Sequence, residues 1–225
     1  MTNTKQIKTA LPCYTASEEF YNTLSHGAGV LIGFMILIAC LNRAFLSSHP
    51  SAVFSGALFG ISMIVTYAVS SVYHGLRAES AKRVLRVVDH CAIYFLIAGT
   101  YTPILLCKLA DSYPINAYAT LAAVWGLAIL AAVLTAVDMH RFRHFSMVCY
   151  VGIGWSVIFS IVQVYEVLTP SGFSLLLSGG IAYTVGALIY NLGKRKNTRY
   201  MHSIFHLFTL LGSLLQGLCI IFFVL

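Results

Sequence analysis

The chain has 225 residues, of which 59% are hydrophobic and 9% charged, with a formal net charge of +7 and a mean hydropathy of +0.83. Soluble domains carry about 25% charged residues, and no water-soluble core absorbs this much apolar side chain, so the composition specifies a membrane protein. The positive balance then reads as loop charge that sets topology, not as attraction for nucleic acid, and no nucleic-acid partner is expected.

The first 22 residues are polar, with Lys5, Lys8, Glu18 and Glu19, and lack the apolar core of a cleavable signal peptide. They are expected to form a cytoplasmic tail (1–22) ahead of one transmembrane domain (23–225). Seven apolar runs follow, at about 23–45, 52–75, 84–107, 114–137, 145–168, 172–192 and 202–225. Each is about 20 to 24 residues, which suits a spanning helix at 1.5 Å rise per residue. The short connections predict antiparallel neighbours. Pro50, Pro114 and Pro170 lie at or near run ends, where proline is tolerated. Pro103, inside the third run, predicts a kink. The six cysteines (Cys13, Cys40, Cys91, Cys107, Cys149, Cys219) form no C-x-x-C pair and read as small buried hydrophobes.

Orientation follows from the cations. Lys5, Lys8, Arg77, Lys82, Arg83, Arg86, Arg141, Arg143, Lys194, Arg195, Lys196 and Arg199 fall on one side, and only Arg43 and Lys108 on the other. The positive-inside rule places the N-terminus in the cytoplasm and the C-terminus outside. The expected fold is an all-α membrane protein, a seven-transmembrane helix bundle. Asn22, Ser25 and His26 at the start of the first run, His74 at the end of the second, Asp89 near the start of the third and His202 and His206 at the start of the seventh then share one depth, in the cytoplasmic leaflet.

Of the eight histidines, His49 reads as an isolated residue of an outer loop. His140 and His144 flank a loop with Arg141 and Arg143, a poor setting for a cation. His26 and His90 read as capping or hydrogen-bonding residues. His202 and His206 are four apart and occupy one helix face. His74 supplies a third imidazole at equal depth, and three histidines with one open position make a catalytic-type zinc sphere. Zinc lowers the pKa of a bound water to about 7, and Asp89 is placed to hold that water and accept its proton. Ser70 lies one turn before His74, on the same face. The plain alternatives stay open: three interfacial histidines in hydrogen bonds, Asp89 paired with Arg86, Ser70 bonded to its own helix.

Ser70-x-x-x-His74, Asp89-His90-Cys91-Ala92-Ile93-Tyr94 with Ile97-Ala98-Gly99-Thr100-Tyr101-Thr102-Pro103, and His202-x-x-x-His206 closely resemble the hemolysin III family, the bacterial branch of the progestin and adipoQ receptors. Glu19-x-x-Asn22-x-x-Ser25-His26-Gly27 and Gly179-Gly180-x-x-Tyr183-x-x-Gly186 resemble it too, so the likeness covers the chain from about residue 18. It implies seven helices in a bacterial cell (inner) membrane, a cytoplasmic N-terminus and zinc on His74, His202 and His206. It also implies kinship with alkaline ceramidases, which hydrolyse lipid amides with the same Ser, Asp and three-His set. Members of the family often carry His where this chain has Gln216, about three turns beyond His206 and so away from the metal.

Three functions are expected to compete: a zinc-dependent hydrolase of a membrane lipid amide or ester, with Asp89 as general base and Ser70 assisting; a non-enzymatic membrane-homeostasis or receptor-like protein with structural zinc; and, least favoured, a pore-forming haemolysin. A retinal protein is excluded, because residues 200–225 hold no lysine for a Schiff base. The charge count opposes the topology of a G-protein-coupled receptor.

Overall fold

The structure is a computed structural model that describes residues 11, 12, 14–196 and 198–225. Lys5, Lys8 and Cys13 lie outside the described residues, as do the side chains of Arg143 and His144. Seven helices are long and apolar enough to cross a membrane: α1 Ala16–Leu46, α2 Ala52–Gly75, α3 Glu79–Ser112, α4 Pro114–Val137, α5 Phe145–Val167, α6 Pro170–Lys196 and α7 Met201–Val224. Among the described residues there is no strand. They pack in sequence around the bundle, and α1 closes the ring against α7. The most enclosed is α3, with 72% of its apolar window buried; the outer faces of the other helices show Leu31, Phe34, Ile38, Leu130 and Phe159 to the surroundings. An apolar exterior of this kind is stable in lipid and not in water.

The first helix starts ahead of the apolar run, at Ala16, and so takes in part of the expected tail. The reason is local. The Thr15 hydroxyl accepts from the Glu18 backbone N–H, and the Glu18 carboxylate accepts from the Thr15 N–H, a capping box. Glu18 and Glu19 also sit in the first turn, where the helix dipole favours anions. Three helices depart from regular α geometry within the membrane. Past Pro103, α3 passes through a π turn at Leu105–Leu109, the distortion that a proline lacking its N–H makes affordable. The end of α7 is a second π turn, Ile220–Val224, whose Ile221 carbonyl accepts from the Arg43 guanidinium at 3.2 Å. Expected as one run, α5 breaks after Gly154 into a 3-10 stretch, Ser156–Ser160, and resumes at Ile161. Tyr101 of α3 mends the break: its hydroxyl donates to the Gly154 carbonyl at 2.8 Å and accepts from the Val157 N–H at 2.9 Å. Backbone groups freed inside a bilayer must find such partners.

Small residues let the helices close. Gly172, Gly179, Gly186 and Gly193 recur at seven-residue intervals on α6, and a Cβ at any of them would press on Phe223, Gln216, Phe208 or Met201 of α7. Small-residue stripes substitute in lipid for the missing hydrophobic drive. The seven-residue period keeps the stripe on one seam along the helix pair. Hydroxyls add directional links: Thr66 of α2 donates to the Ala92 carbonyl of α3 at 3.0 Å, and Tyr67 of α2 reaches the Thr209 carbonyl of α7 at 3.1 Å. Together these seams fix α7 against α1, α2 and α6, the arrangement on which the site depends.

Candidate metal centre

The site forms where α1, α2, α3 and α7 meet, on the face that carries Arg77, Lys82, Lys194 and Arg199. Its base is laid by the start of α7. Tyr200 stands in the left-handed region at φ 59°, the one non-glycine residue with positive φ among those described. That conformation costs free energy for a residue with a Cβ. It is offset by contacts to α1: the Tyr200 N–H donates to Glu18 Oε1 at 2.9 Å, and its hydroxyl meets Ser17 Oγ at 3.0 Å. The turn sets the register of α7, so that His202 and His206 project inward one turn apart.

His74 ends α2 and meets both. Its Nε2 lies 3.3 Å from His202 Nε2, and His206 Nε2 lies 3.1 Å from His202 Nε2. One ring nitrogen from each residue falls within 4.8 Å of the others. Two nitrogens bound to zinc at about 2.0–2.1 Å with tetrahedral angles stand about 3.3 Å apart, so the observed spacings fit that ion. His74 and His206 are buried, and His202 is half-buried.

The outer nitrogens decide whether the inner ones carry a lone pair. His74 Nδ1 donates to Glu19 Oε2 at 2.6 Å, which leaves Nε2 unprotonated and facing the centre. The other oxygen of Glu19 accepts from Lys82. His206 Nδ1 lies 3.4 Å from Ser25 Oγ, whose own proton goes to the Asn22 carbonyl at 3.0 Å, so Nδ1 is the donor and Nε2 is again free. Asn22 is fully buried and accepts from Ser203 Oγ at 2.6 Å, pinning α7 to α1. His202 is held differently. Its Nδ1 is buried and has no protein partner among the described residues; Tyr14 stacks on the ring at 5.0 Å and 12°. Tyr14 precedes the first span, and burial holds its phenol well above the ordinary value, with Tyr190, Tyr73 and Glu19 adding to the rise. It is a neutral aromatic plate at every physiological pH.

Asp89 lies on α3 beside this centre. Its carboxylate accepts from the Ser70 hydroxyl and lies within electrostatic reach of His74 and Arg86. Ser70 is buried on α2, one turn from His74. Of the five residues singled out from the sequence, the structure converges His74, His202 and His206, and it pairs Ser70 with Asp89 near His74. Asp89 does not join the group of three whose ligand atoms converge.

Other expectations fare variously. His90 takes the hydrogen-bonding role, with Nδ1 3.3 Å from Tyr150 Oη. His49 is on a loop but is not isolated, since its Nε2 lies 3.4 Å from Asp111; folding α3 out to Ser112 brings that carboxylate across. His26 caps and bonds nothing among the described residues: both ring nitrogens are unpartnered, and the ring packs 3.9 Å from that of His206. Gln216 packs against Gly179 and lines a cavity of about 50 Å³ with Thr100, Tyr101, Thr120 and Ser160. Sequence reasoning gave Glu19 no role in the site. The signal was present, an acidic residue at the head of an apolar run, spaced three and six residues from Asn22 and Ser25. It pointed equally to an N-terminal helix cap.

Comparison with known proteins gives a consistent picture. Residues 14–217 match the family described as Haemolysin-III related. The chain is 38% identical over 208 residues to a protein of Bacillus cereus named Hemolysin-3, covering 92% of each chain. It is 36% identical over 212 residues to the Hemolysin-3 homolog of Bacillus subtilis (strain 168), covering 93% of this chain and 96% of the relative. No solved structure matches.

Proposed function

The chain belongs to the haemolysin-III related family, and from that premise we propose that this multi-pass membrane protein holds zinc on His74, His202 and His206 and hydrolyses an amide or ester bond of an acyl lipid. The membrane is the cytoplasmic membrane of a bacterial cell. One observation carries the reading: three imidazole nitrogens converge, and the half-buried Asp89 carboxylate, paired with the Ser70 hydroxyl, lies within electrostatic reach of one of them, His74. Structural zinc sites use four protein ligands, whereas three leave a position for a reacting group.

When bound there, zinc supplies Lewis-acid polarisation of a carbonyl and acidifies water to near neutral pH. The chain's own residues do the rest. His74 and His206 are kept in the binding tautomer by Glu19 and Ser25. Asp89 takes the proton from the attacking water as oxygen adds to the acyl carbon. The C–N or C–O bond breaks, and the proton passes from Asp89 to the departing amine or alcohol, giving a fatty acid and the headgroup. The Ser70 hydroxyl orients the Asp89 carboxylate.

The test is incubation of purified protein with ceramides and other acyl-amide and acyl-ester lipids, with free fatty acid as readout. Wild type releases fatty acid, Asp89→Ala releases none, and both retain about one zinc. A second reading, zinc as a tie between α2 and α7 in a non-enzymatic membrane-homeostasis protein, draws on the ligands coming from both helices; it predicts no release from any lipid and a fall in melting temperature on zinc removal. The names of the Bacillus relatives suggest lysis. Liposomes that leak in proportion to added protein, with or without zinc, would favour that third function.

A further inference from the structure

The three ligands of the centre are not held alike. His74 and His206 are buried and each has its outer nitrogen bonded by α1. His202 is the one with residual exposure, and its Nδ1 has no protein partner among the described residues. An imidazole without that outer bond is free to turn about its side-chain torsions, and outer bonds of this kind are worth about 10- to 100-fold in metal affinity elsewhere. In its place is an aromatic contact: the Tyr14 ring lies parallel to His202, 12° off at 5.0 Å, and 6.0 Å from His74. Tyr190 and Phe205 flank the same ring less squarely, at 54° and 29°.

Tyr14 also borders open space. A cavity of about 410 Å³ is lined by Leu11, Pro12, Tyr14, Glu19, Glu79, Lys82 and Arg83. Glu19 belongs to both compartments: it lines this cavity and bonds His74. The cavity is therefore an antechamber on the side of the basic loops. Its two carboxylates are paired with its two cations, Glu19 with Lys82 and Glu79 with Arg83, so the cavity is polar and close to neutral; Tyr14 both lines it and stacks on the half-buried His202.

We propose that Tyr14 is the positioning residue of His202 and the gate through which the metal of the three-histidine centre is exchanged with the antechamber. This rests on the metal reading of that centre. Tyr14 touches no reacting group; it acts through His202, by fixing the ring plane and by covering the exposed side of the ligand set. Its position is set by the capping box immediately after it, Thr15 with Glu18.

The experiment uses full-length protein in detergent, loaded with zinc, freed of excess ion and mixed with a chelating dye in large excess. Tyr14→Ala and Tyr14→Leu are expected to release zinc faster than wild type by about two- to tenfold, the loss of one aromatic stack. Tyr14→Phe keeps the ring and is expected to release at the wild-type rate. All four proteins are expected to hold about one zinc at saturation, with the melting temperature checking the fold; Tyr14→Leu serves if the alanine variant does not accumulate. Wild-type release rates in the Ala or Leu variants, with one zinc still bound, would overturn the gate while leaving the metal centre standing. Faster release in Tyr14→Phe, equal to that of Leu, would overturn the stacking role. A wild-type protein that takes up no zinc would remove the metal centre and this proposal together.

Discussion

Removing the Glu19 carboxylate tests the tie between α1 and the metal centre most directly. Glu19 Oε2 accepts from His74 Nδ1 at 2.6 Å, and its other oxygen accepts from Lys82. The side chain is 19% exposed and His74 is fully buried, so the bond is weakly screened. Charge-assisted hydrogen bonds of this kind contribute about 1.5–3 kcal/mol. The bond stabilises the tautomer in which His74 Nε2 carries a lone pair, so its loss falls mainly on metal binding. The expected fall in zinc affinity is about 10- to 100-fold, or about 1.4–2.8 kcal/mol. Glu19→Gln keeps a neutral acceptor and belongs at the lower end; Glu19→Ala belongs at the upper. Lys82→Met, which strips Glu19 of its other partner, is expected to weaken zinc by less than either. The assay is competition for zinc against a chromophoric chelator at fixed pH, with the melting temperature of the metal-free proteins as a fold control. Unchanged affinity in Glu19→Ala, with metal-free stability equal to wild type, would refute the argument.

Two further outcomes follow from the same geometry. His202→Ala and His206→Ala each leave two ligands and are expected to bring bound zinc from about one per chain to near zero by elemental analysis, while His49→Ala, at the far face, leaves it unchanged; full retention in both of the first two would remove the site. Gly29→Val is expected to destabilise the fold by about 1–3 kcal/mol, read as a lowered melting temperature in detergent, because a Cβ there would stand 2.7 Å from Cγ and Cδ1 of the rigid Tyr67 ring; a variant as stable as wild type would show that α1 and α2 have slack.

Much of the molecule is written in one dimension. Bilayer thickness sets a fixed length for an apolar run, so seven runs announce seven helices, and the cation bias of the loops gives a common direction to residues far apart in sequence. That depth argument united His74, Asp89 and the His202–His206 pair, because helix ends on one face of a bundle meet. The departures from regular geometry were less legible. Nothing in Gly154-Trp155-Ser156 demands a break, since the break survives only because Tyr101 of another helix satisfies the freed groups.

The sequence by itself determined the membrane class, the seven spans and the three metal-competent histidines, since hydropathy and helical spacing act along the chain. Only the tertiary structure decided which nitrogen of each histidine faces the centre. That choice is made by residues of another helix, Glu19 for His74 and Ser25 for His206, while for His202 the Tyr14 ring fixes only the ring plane. An imidazole has two chemically similar nitrogens, and its tautomer is fixed by the partner that the fold brings to one of them, which no local pattern records.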